Sequence, residues 1–320
     1  MNRSGMVNLS RGYASALFAA AVLSTTAILI RYLTVTYAIP PLVLAFWRDA
    51  LVTLTLAPAL ALLARRLLSV SHAHIGYLAI FGLVLAAFNA TWTYSVAMNG
   101  AAVATVLVYG SAAFTALLGW GLLKERLGWA KLLAIVLCLT GCVLVSGALS
   151  AAAWGTNLMG LLVGVLSGLC YAVYSLMGRS AAQRELNPWT TLASTFGFAA
   201  ICLLVLNLLP QAVTGIASQP ADLFWLGNAY YGWGILLVLA AGPTVAGFGL
   251  YNISLGFLPA SVANLIVTLE PAFTALSAYL LLGEQLSVLQ FGGGLLILCG
   301  VVFLRLYEGR SIRLLQTQAR

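Results

Sequence analysis

Three charged side chains lie inside long apolar stretches of this 320-residue sequence: Arg48, Asp49 and Glu270. A charge near the bilayer centre costs roughly 2.5–3.5 kcal/mol on insertion scales, so such residues typically bind a substrate, carry a proton or form an ion pair. Arg48 and Asp49 are consecutive and point about 100° apart on a helix, so we expect no direct pair between them. An Arg48–Glu270 contact is geometrically allowed, either as a structural ion pair or as part of a substrate or proton site in a central cavity.

Glu270 is followed by Pro271, which has no backbone N–H to donate. The carbonyl one turn earlier, near Val267, is therefore left free, and the helix should kink. Such a break at mid-membrane depth is tolerated where it is buried in protein or lines a cavity. We therefore predict a role in proton coupling or gating for Glu270 and Pro271.

Polar and aromatic residues recur at positions that correspond when the sequence is shifted by 159 residues. The matched pairs are Trp92 and Tyr251, Thr93 and Asn252, Thr105 and Asn264, and Tyr109 and Thr268; a shift of 148 residues matches Thr26 with Tyr174. Taken singly, each is explained by interhelical hydrogen bonds or an interfacial aromatic belt. As a set they favour an amphipathic cavity. The predicted substrate-binding residues are Arg48, Trp92, Thr93, Tyr109, Tyr174, Tyr251, Asn252, Asn264 and Thr268.

The composition indicates where these residues lie. Of all residues 62% are hydrophobic and 7% are charged, against roughly 25% charged in soluble domains. The formal net charge of +8 does not indicate nucleic acid, because the cations stand singly between apolar runs. The partners we expect are therefore the lipid bilayer and a small-molecule substrate, with no nucleic acid.

Ten stretches are long and apolar enough for a transmembrane helix of about 20 residues. They are residues 12–33, 41–64, 76–98, 101–123, 130–149, 157–178, 189–209, 232–254, 259–282 and 288–307. With the N-terminus in the cytosol, thirteen of the fifteen Lys and Arg residues fall on the cytosolic side, as the positive-inside rule requires. Arg31 and Arg48 are the two others. Both termini are therefore predicted to be cytoplasmic.

The sequence also contains a repeat. Ala113–Leu117 recurs as Ala272–Leu276, and at the front of each half Gly12, Arg31 and Pro40 match Gly160, Arg179 and Pro188. Five spans in each half is an odd number, so the second copy must be inverted relative to the first, as in many secondary transporters. We predict an all-α integral membrane protein with ten transmembrane helices in two inverted five-helix repeats, residues 1–149 and 150–320, around a central cavity. The second repeat would end in a short cytosolic tail.

Signals for enzymatic chemistry are weak. His72 and His74 have no neighbouring Cys or acid pair, and Cys138 and Cys142 are best explained as helix-packing residues. Nucleotide-binding and nucleophile motifs are missing from the sequence. We therefore expect no enzyme activity, no metal and no cofactor.

The chain resembles the EamA family of the drug/metabolite transporter superfamily over residues 11–307. The resemblance is carried by Leu269-Glu270-Pro271, Leu281-Leu282-Gly283-Glu284, the later Gly300, and Phe46-Trp47-Arg48. The first repeat has Ala112 where the family has a proline matching Pro271. The family includes an aromatic amino acid exporter of this architecture, and it implies that spans 1–4 and 6–9 enclose the cavity while spans five and ten are peripheral.

These observations lead to one principal functional hypothesis. The chain would be a monomeric secondary transporter of a bacterial inner membrane that exports small amphipathic metabolites, plausibly aromatic or other amino acids, by alternating access. Two alternatives stay open: an importer or facilitative uniporter of small metabolites, and a membrane-embedded enzyme or lipid-handling protein.

Overall fold

The computed structural model describes residues 3–146, 148–149, 158–209, 217, 219–282 and 287–318. The regular structure of these residues is helical. Residue 150, at which the second predicted repeat begins, lies outside the described part, as do the start of the long connection after span seven and the motif residues Gly283 and Glu284.

Twelve α-helices follow one another along the described chain. They are α1 (Arg3–Tyr37), α2 (Pro41–Leu63), α3 (His72–Tyr109), α4 (Ser111–Leu122), α5 (Trp129–Val145), α6 (Leu158–Gln183), α7 (Pro188–Leu208), α8 (Tyr230–Leu239), α9 (Val245–Phe257), α10 (Ala260–Val267), α11 (Glu270–Leu282) and α12 (Val288–Gln318). Short 3-10 turns cover Arg65–Leu68 and Pro220–Phe224, and a π-turn, Ala240–Thr244, joins α8 to α9.

The membrane spans match the predicted ones closely. In the described chain, nine stretches are long and apolar enough to cross a bilayer, and α5 is a tenth, shorter apolar helix of 17 residues. Many large apolar side chains face outward, among them Leu62 and Val288 at 87% and 89% exposure. Outward apolar side chains are what a bilayer solvates, whereas a soluble monomer rarely exposes large contiguous apolar patches.

Helix α3 contains span three and the first half of span four, although the sequence placed a boundary near residue 99. A Cβ added to Gly164 would lie 2.7 Å from Ser95 Oγ and 2.4 Å from Leu107 Cδ1. Twelve residues of straight helix would separate those two positions by roughly 18 Å. The segment assigned to α3 therefore reverses its direction between Ser95 and Leu107, and spans three and four pack side by side.

Spans four and nine are both interrupted. Helix α10 ends at Val267 and α11 begins at Glu270, so the predicted break beside Pro271 is confirmed. In span four, α3 ends at Tyr109 and α4 begins at Ser111, and the interruption is milder, because Gly110 between them keeps a right-handed helical backbone and donates to Val106 O at 3.2 Å. Gly110 corresponds to Leu269 under the 159-residue shift, so the two breaks lie at matching positions. The interruption of span four lies at a glycine, which favours neither helix nor strand, whereas the break of span nine lies beside a proline.

Helices α5 and α12 pack chiefly against each other, beside the rest of the bundle. Their backbones meet at Gly141 and Gly293, where a Cβ on Gly141 would lie 2.6 Å from the Gly293 carbonyl oxygen. The other helices pack as α3 on α6 and α7, α1 on α9, and α2 on α7. Spans five and ten therefore lie mainly to one side of the other helices.

Candidate functional site

Arg48, Asp49 and Asn89 form a buried polar group between α2 and α3, which we call the Asp49 cluster. Arg48 Nε lies 3.5 Å from Asp49 Oδ1, and Asn89 Nδ2 donates to Asp49 Oδ2 at 2.7 Å. All three residues are at most 4% exposed. The expectation that Arg48 and Asp49 do not pair is therefore wrong. The reason is that the long guanidinium side chain bends around its own helix and bridges the 100° between them.

Three tyrosines form the centre of the bundle, where α6 meets α9. Tyr171 stacks on Tyr174 and Tyr251 with ring centroids 6.2 and 5.9 Å apart and interplanar angles of 18° and 26°. Phe88 of α3 stacks on the other side of Tyr171 at 4.9 Å. We call Tyr171, Tyr174 and Tyr251 the tyrosine cluster. Tyr174 is also close enough to Asp49 for the two to interact electrostatically, which connects this cluster to the Asp49 cluster.

Hydroxyl and amide groups connect the tyrosines to the breaks in spans four and nine. Tyr251 donates to Ser175 Oγ at 2.7 Å, and Asn264 Nδ2 donates to the same oxygen at 3.0 Å. Ser111, the first residue of α4, donates to Asn264 Oδ1 at 3.1 Å. One continuous network therefore joins α6, α9, α10 and α4.

Glu270, the first residue of α11, takes part in a second contact between the two breaks. The Tyr109 hydroxyl, at the end of α3, lies close enough to the Glu270 carboxylate for the two groups to interact electrostatically. Cys142 Sγ lies 3.8 Å from the carbonyl oxygen of Thr268, in the interrupted turn. Under the 159-residue shift Ser111 corresponds to Glu270, so the first residue after each break contacts a residue of the opposite span. The contact considered for Glu270 was with Arg48, but the structure pairs Arg48 with Asp49.

The structure brings most of the predicted substrate residues together and sets others apart. Tyr174, Tyr251, Asn252 and Asn264 belong to the network, in which Tyr174 donates to Asn252 Oδ1 at 3.4 Å, and Tyr109 lies beside it next to Glu270.

The remaining predicted residues differ in their contacts. Thr93 and Thr268 donate to carbonyls of their own helices, those of Asn89 at 2.8 Å and Leu265 at 2.6 Å, which occupies their hydroxyl hydrogens. Trp92 is only partly buried, and it packs against each of two clusters of buried apolar side chains inside the bundle. Pro271 is buried at the first turn of α11.

Four residues of these clusters were not predicted from the sequence: Tyr171, Ser175, Ser111 and Asn89. Asn89 corresponds to the apolar Phe248 under the 159-residue shift, so a comparison of polar residues between the two halves does not reveal it. Tyr171, Tyr174 and Ser175 do share one face of α6 by their spacing of three and four residues. That spacing could have predicted Tyr171 and Ser175. Ser111 could have been predicted from its correspondence to Glu270 under the 159-residue shift.

The ends of α4, α5 and α10 meet at a second ionic group, formed by Glu125, Lys131 and Ser261. Glu125 accepts from the backbone N–H groups of Ala260 and Ser261 at 2.7 and 3.3 Å, and it also accepts from the Ser261 hydroxyl. Lys131 donates to Ser261 Oγ at 2.8 Å and lies 3.9 Å from Glu125. Although Glu125 lies in the connection after α4 and Lys131 in the first turn of α5, their side chains are only 9% and 8% exposed.

The network is closely packed in this conformation. A cavity of about 10 Å³ lies beside it, lined by residues that include Gly178, Thr191 and Asn252. This volume is that of about one water molecule and far below that of a metabolite. In the described ranges, three or more His, Cys, Asp or Glu residues nowhere form a group able to hold a metal ion.

Comparison with known proteins identifies relatives of this arrangement. The EamA-like transporter family matches residues 10–147 and again residues 158–306. A solved crystal structure with 19% sequence identity superposes with a TM-score of 0.74 and covers 94% of this chain and 99% of its own, which shows a shared fold.

The curated relatives match a smaller part of this chain than the solved structure does. The uncharacterized transporter sll1319 of Synechocystis is 29% identical over 64% of this chain and 59% of its own length. The threonine/homoserine exporter RhtA of Salmonella typhimurium is 27% identical over 49% of this chain and 47% of its own. This chain thus spans about three fifths of the first relative and about half of the second. Because the family match covers nearly the whole sequence, in two segments, the chain belongs to the EamA-like transporter family.

Proposed function

We propose that this protein is a secondary transporter that exports small amphipathic metabolites, in particular amino acids, across a bacterial inner membrane by alternating access. The observation that carries the proposal is the buried network of tyrosines and amides at the breaks of spans four and nine. Intramembrane polar groups are costly unless they serve function or structure, and this network lies where helices of both halves of the chain meet. Trp92 would line the same path as the network opens.

The two helix breaks support a gating role. Transporter sites are typically formed by discontinuous helices near mid-membrane depth, where unpaired backbone groups face the substrate. Here the breaks are linked by Tyr109 with Glu270 and by Ser111 with Asn264. Opening the site requires separation of these pairs, and Glu270 with Pro271 is placed to couple that motion to a proton.

The duplicated family match supports an inverted-repeat arrangement of residues 1–149 and 150–320. With five spans per copy, an odd number, the second copy would be inverted relative to the first. The distribution of Lys and Arg supports a cytoplasmic location for both termini and for the Glu125 end of the bundle. The transporter would act as a monomer without a cofactor, with the lipid bilayer and a small molecule as its partners.

Two observations support amino acids as substrates. RhtA, which matches half of this chain, is named as an exporter of threonine and homoserine. The network combines aromatic ring faces with charged and amide groups, the two kinds of surface that an amphipathic amino acid presents. Cation–π attraction to the tyrosine rings would add to binding of an ammonium group.

The test is counterflow in proteoliposomes that contain the purified full chain, with labelled threonine, homoserine and phenylalanine. We expect saturable exchange of at least one of them, stimulated by an imposed proton gradient. Glu270→Gln should abolish the stimulation by the gradient, whereas Glu185→Gln, at an exposed acid of the α6–α7 connection, should retain it. Lack of exchange for all three amino acids, beside exchange of a lipid analogue, would refute the proposed substrate class.

A further inference from the structure

The Asp49 cluster holds two polar atoms that have no hydrogen-bond partner. One is Arg48 Nη2, a charged donor, and the other is Asn89 Oδ1, an acceptor. Each belongs to a planar group that contacts Asp49 through a different atom. Arg48 Nε lies 3.5 Å from Asp49 Oδ1, and Asn89 Nδ2 lies 2.7 Å from Asp49 Oδ2. Asp49 therefore fixes the orientation of both groups and leaves one donor and one acceptor unused.

Unused polar atoms at this depth need an explanation. Arg48 is 4% exposed and Asn89 is fully buried, so solvent does not satisfy them. A buried polar atom without a partner costs about 1–3 kcal/mol, and more where the group is charged. Native proteins contain few such atoms, and each calls for an explanation, such as an ordered water, an ion or a functional role.

We propose that the Asp49 cluster binds the head group of an α-amino acid, with Arg48 Nη2 donating to the carboxylate and Asn89 Oδ1 accepting from the ammonium group. This inference rests on the proposed function and names the subsite within it. Asp49 is a positioning residue, because it holds the guanidinium and the amide in place. The substrate side chain would lie toward Tyr174, which packs against Phe81 at 4.9 Å and Phe248 at 5.7 Å.

The charges of the cluster explain why it selects a zwitterion. Arg48 and Asp49 neutralise each other, so the empty site carries no net charge. A zwitterion adds none, and both of its charged ends find a partner. An analogue without the ammonium group, or without the carboxylate, would bring one uncompensated charge into a buried site, which is strongly unfavourable. Discrimination therefore arises from the missing group and not from the side chain.

Matched ligand series test this head-group subsite directly. Phenylalanine is compared with 3-phenylpropionate, which lacks the ammonium group, and with 2-phenylethylamine, which lacks the carboxylate. Threonine is compared in the same way with 3-hydroxybutyrate and 1-amino-2-propanol. Affinities are measured by calorimetry on the full chain in lipid nanodiscs. We expect the wild type to bind the better amino acid at least ten-fold more tightly than either of its analogues.

Two variants separate the two ends of the head group. Arg48→Lys keeps the cation but cannot both contact Asp49 and present a second planar donor. It should weaken amino acid binding about ten-fold and leave the amine analogue unchanged. Asn89→Leu should weaken the amino acid and leave the acid analogue unchanged. Arg184→Lys, at an exposed arginine, is the control and should bind every ligand as the wild type does.

Each comparison is a ratio between ligands within one variant, so a reduced folded fraction does not alter it. Equal weakening of all ligands by Arg48→Lys and Asn89→Leu, or wild-type affinities within two-fold across a series, would overturn the head-group subsite. If either variant fails to fold, the wild-type series alone decides. Counterflow of amino acids together with indifference to the head group refutes this inference and leaves the proposed function intact, whereas absence of amino acid counterflow and binding refutes both.

Discussion

Removal of the negative charge of Glu125 should loosen the start of α10 and hence the contact between the two halves of the chain. This carboxylate, in the connection after α4, accepts from the N–H groups of Ala260 and Ser261 at 2.7 and 3.3 Å. The first N–H groups of a helix have no partner within the helix, and the helix dipole favours an anion there. Glu125→Gln removes the charge and turns half of the group into a donor, which faces two other donors.

The magnitude follows from these contacts. A hydrogen bond to a charged group contributes about 1.5–3 kcal/mol, and an anion at a helix N-terminus contributes about 0.3–1 kcal/mol, or up to about 2 kcal/mol where partly buried. Lys131, 3.9 Å from Glu125, also loses its counter-charge in a buried position. We therefore expect a loss of about 2–3 kcal/mol in the local stability of this contact. Since 1.36 kcal/mol is a factor of ten, the open population should rise roughly 30- to 150-fold.

The assay is amide hydrogen exchange of the full chain in nanodiscs, because exchange reports local opening below the global unfolding free energy. The peptide that contains Ala260 and Ser261 should exchange faster in Glu125→Gln by the factor above. Glu185→Gln, an equal charge change at an exposed position, should exchange as the wild type does. Equal exchange of that peptide in wild type and Glu125→Gln would show that the carboxylate does not hold the two halves together.

Two further predictions concern packing and the network. Gly293→Ala should destabilise the protein by about 1–3 kcal/mol, because the added Cβ would lie 2.8 Å from the Gly141 carbonyl oxygen. Gly292→Ala is the control and should leave the stability unchanged, because the space around Gly292 is open. Thermal unfolding in detergent compares the two variants. Tyr251→Phe should cost about 1 kcal/mol in stability and reduce counterflow, since it removes the donor to Ser175 Oγ. Counterflow equal to that of wild type would exclude the Tyr251 hydroxyl from the transport site.

Features repeated at fixed intervals along the sequence could be predicted, and contacts set by side-chain conformation could not. The spans follow from apolar length, and the break at Pro271 follows from a missing donor. The break at Gly110 has no such marker, because a glycine within a membrane helix is tolerated as often as it interrupts one. It becomes evident when Gly110 is aligned with the break of span nine.

The candidate site shows the same division. Matched positions in the two halves of the sequence predicted Tyr109, Tyr174, Tyr251 and Asn264, which lie near one another around the breaks of spans four and nine. They did not predict Asn89 and Tyr171, whose counterparts in the other half are apolar, and the partner expected for Arg48 was wrong. The spacing of residues along a helix gives the direction of each Cβ. The guanidinium of an arginine lies several ångströms beyond the Cβ, so its contact depends on the side-chain conformation and on where a carboxylate lies.

The two helix breaks are linked by an exchange of contacts, and this constrains how the halves can move. Tyr109 precedes the break in span four and reaches Glu270, which follows the break in span nine. Ser111 follows the break in span four and donates to Asn264, which precedes the break in span nine. A motion that separates the two spans must break both contacts together, and each leaves a buried polar group in need of a partner. A substrate that carries both donors and acceptors can replace those partners, whereas a purely apolar molecule cannot. Selectivity for amphipathic substrates would then follow from the requirement for opening itself, independently of the shape of the cavity.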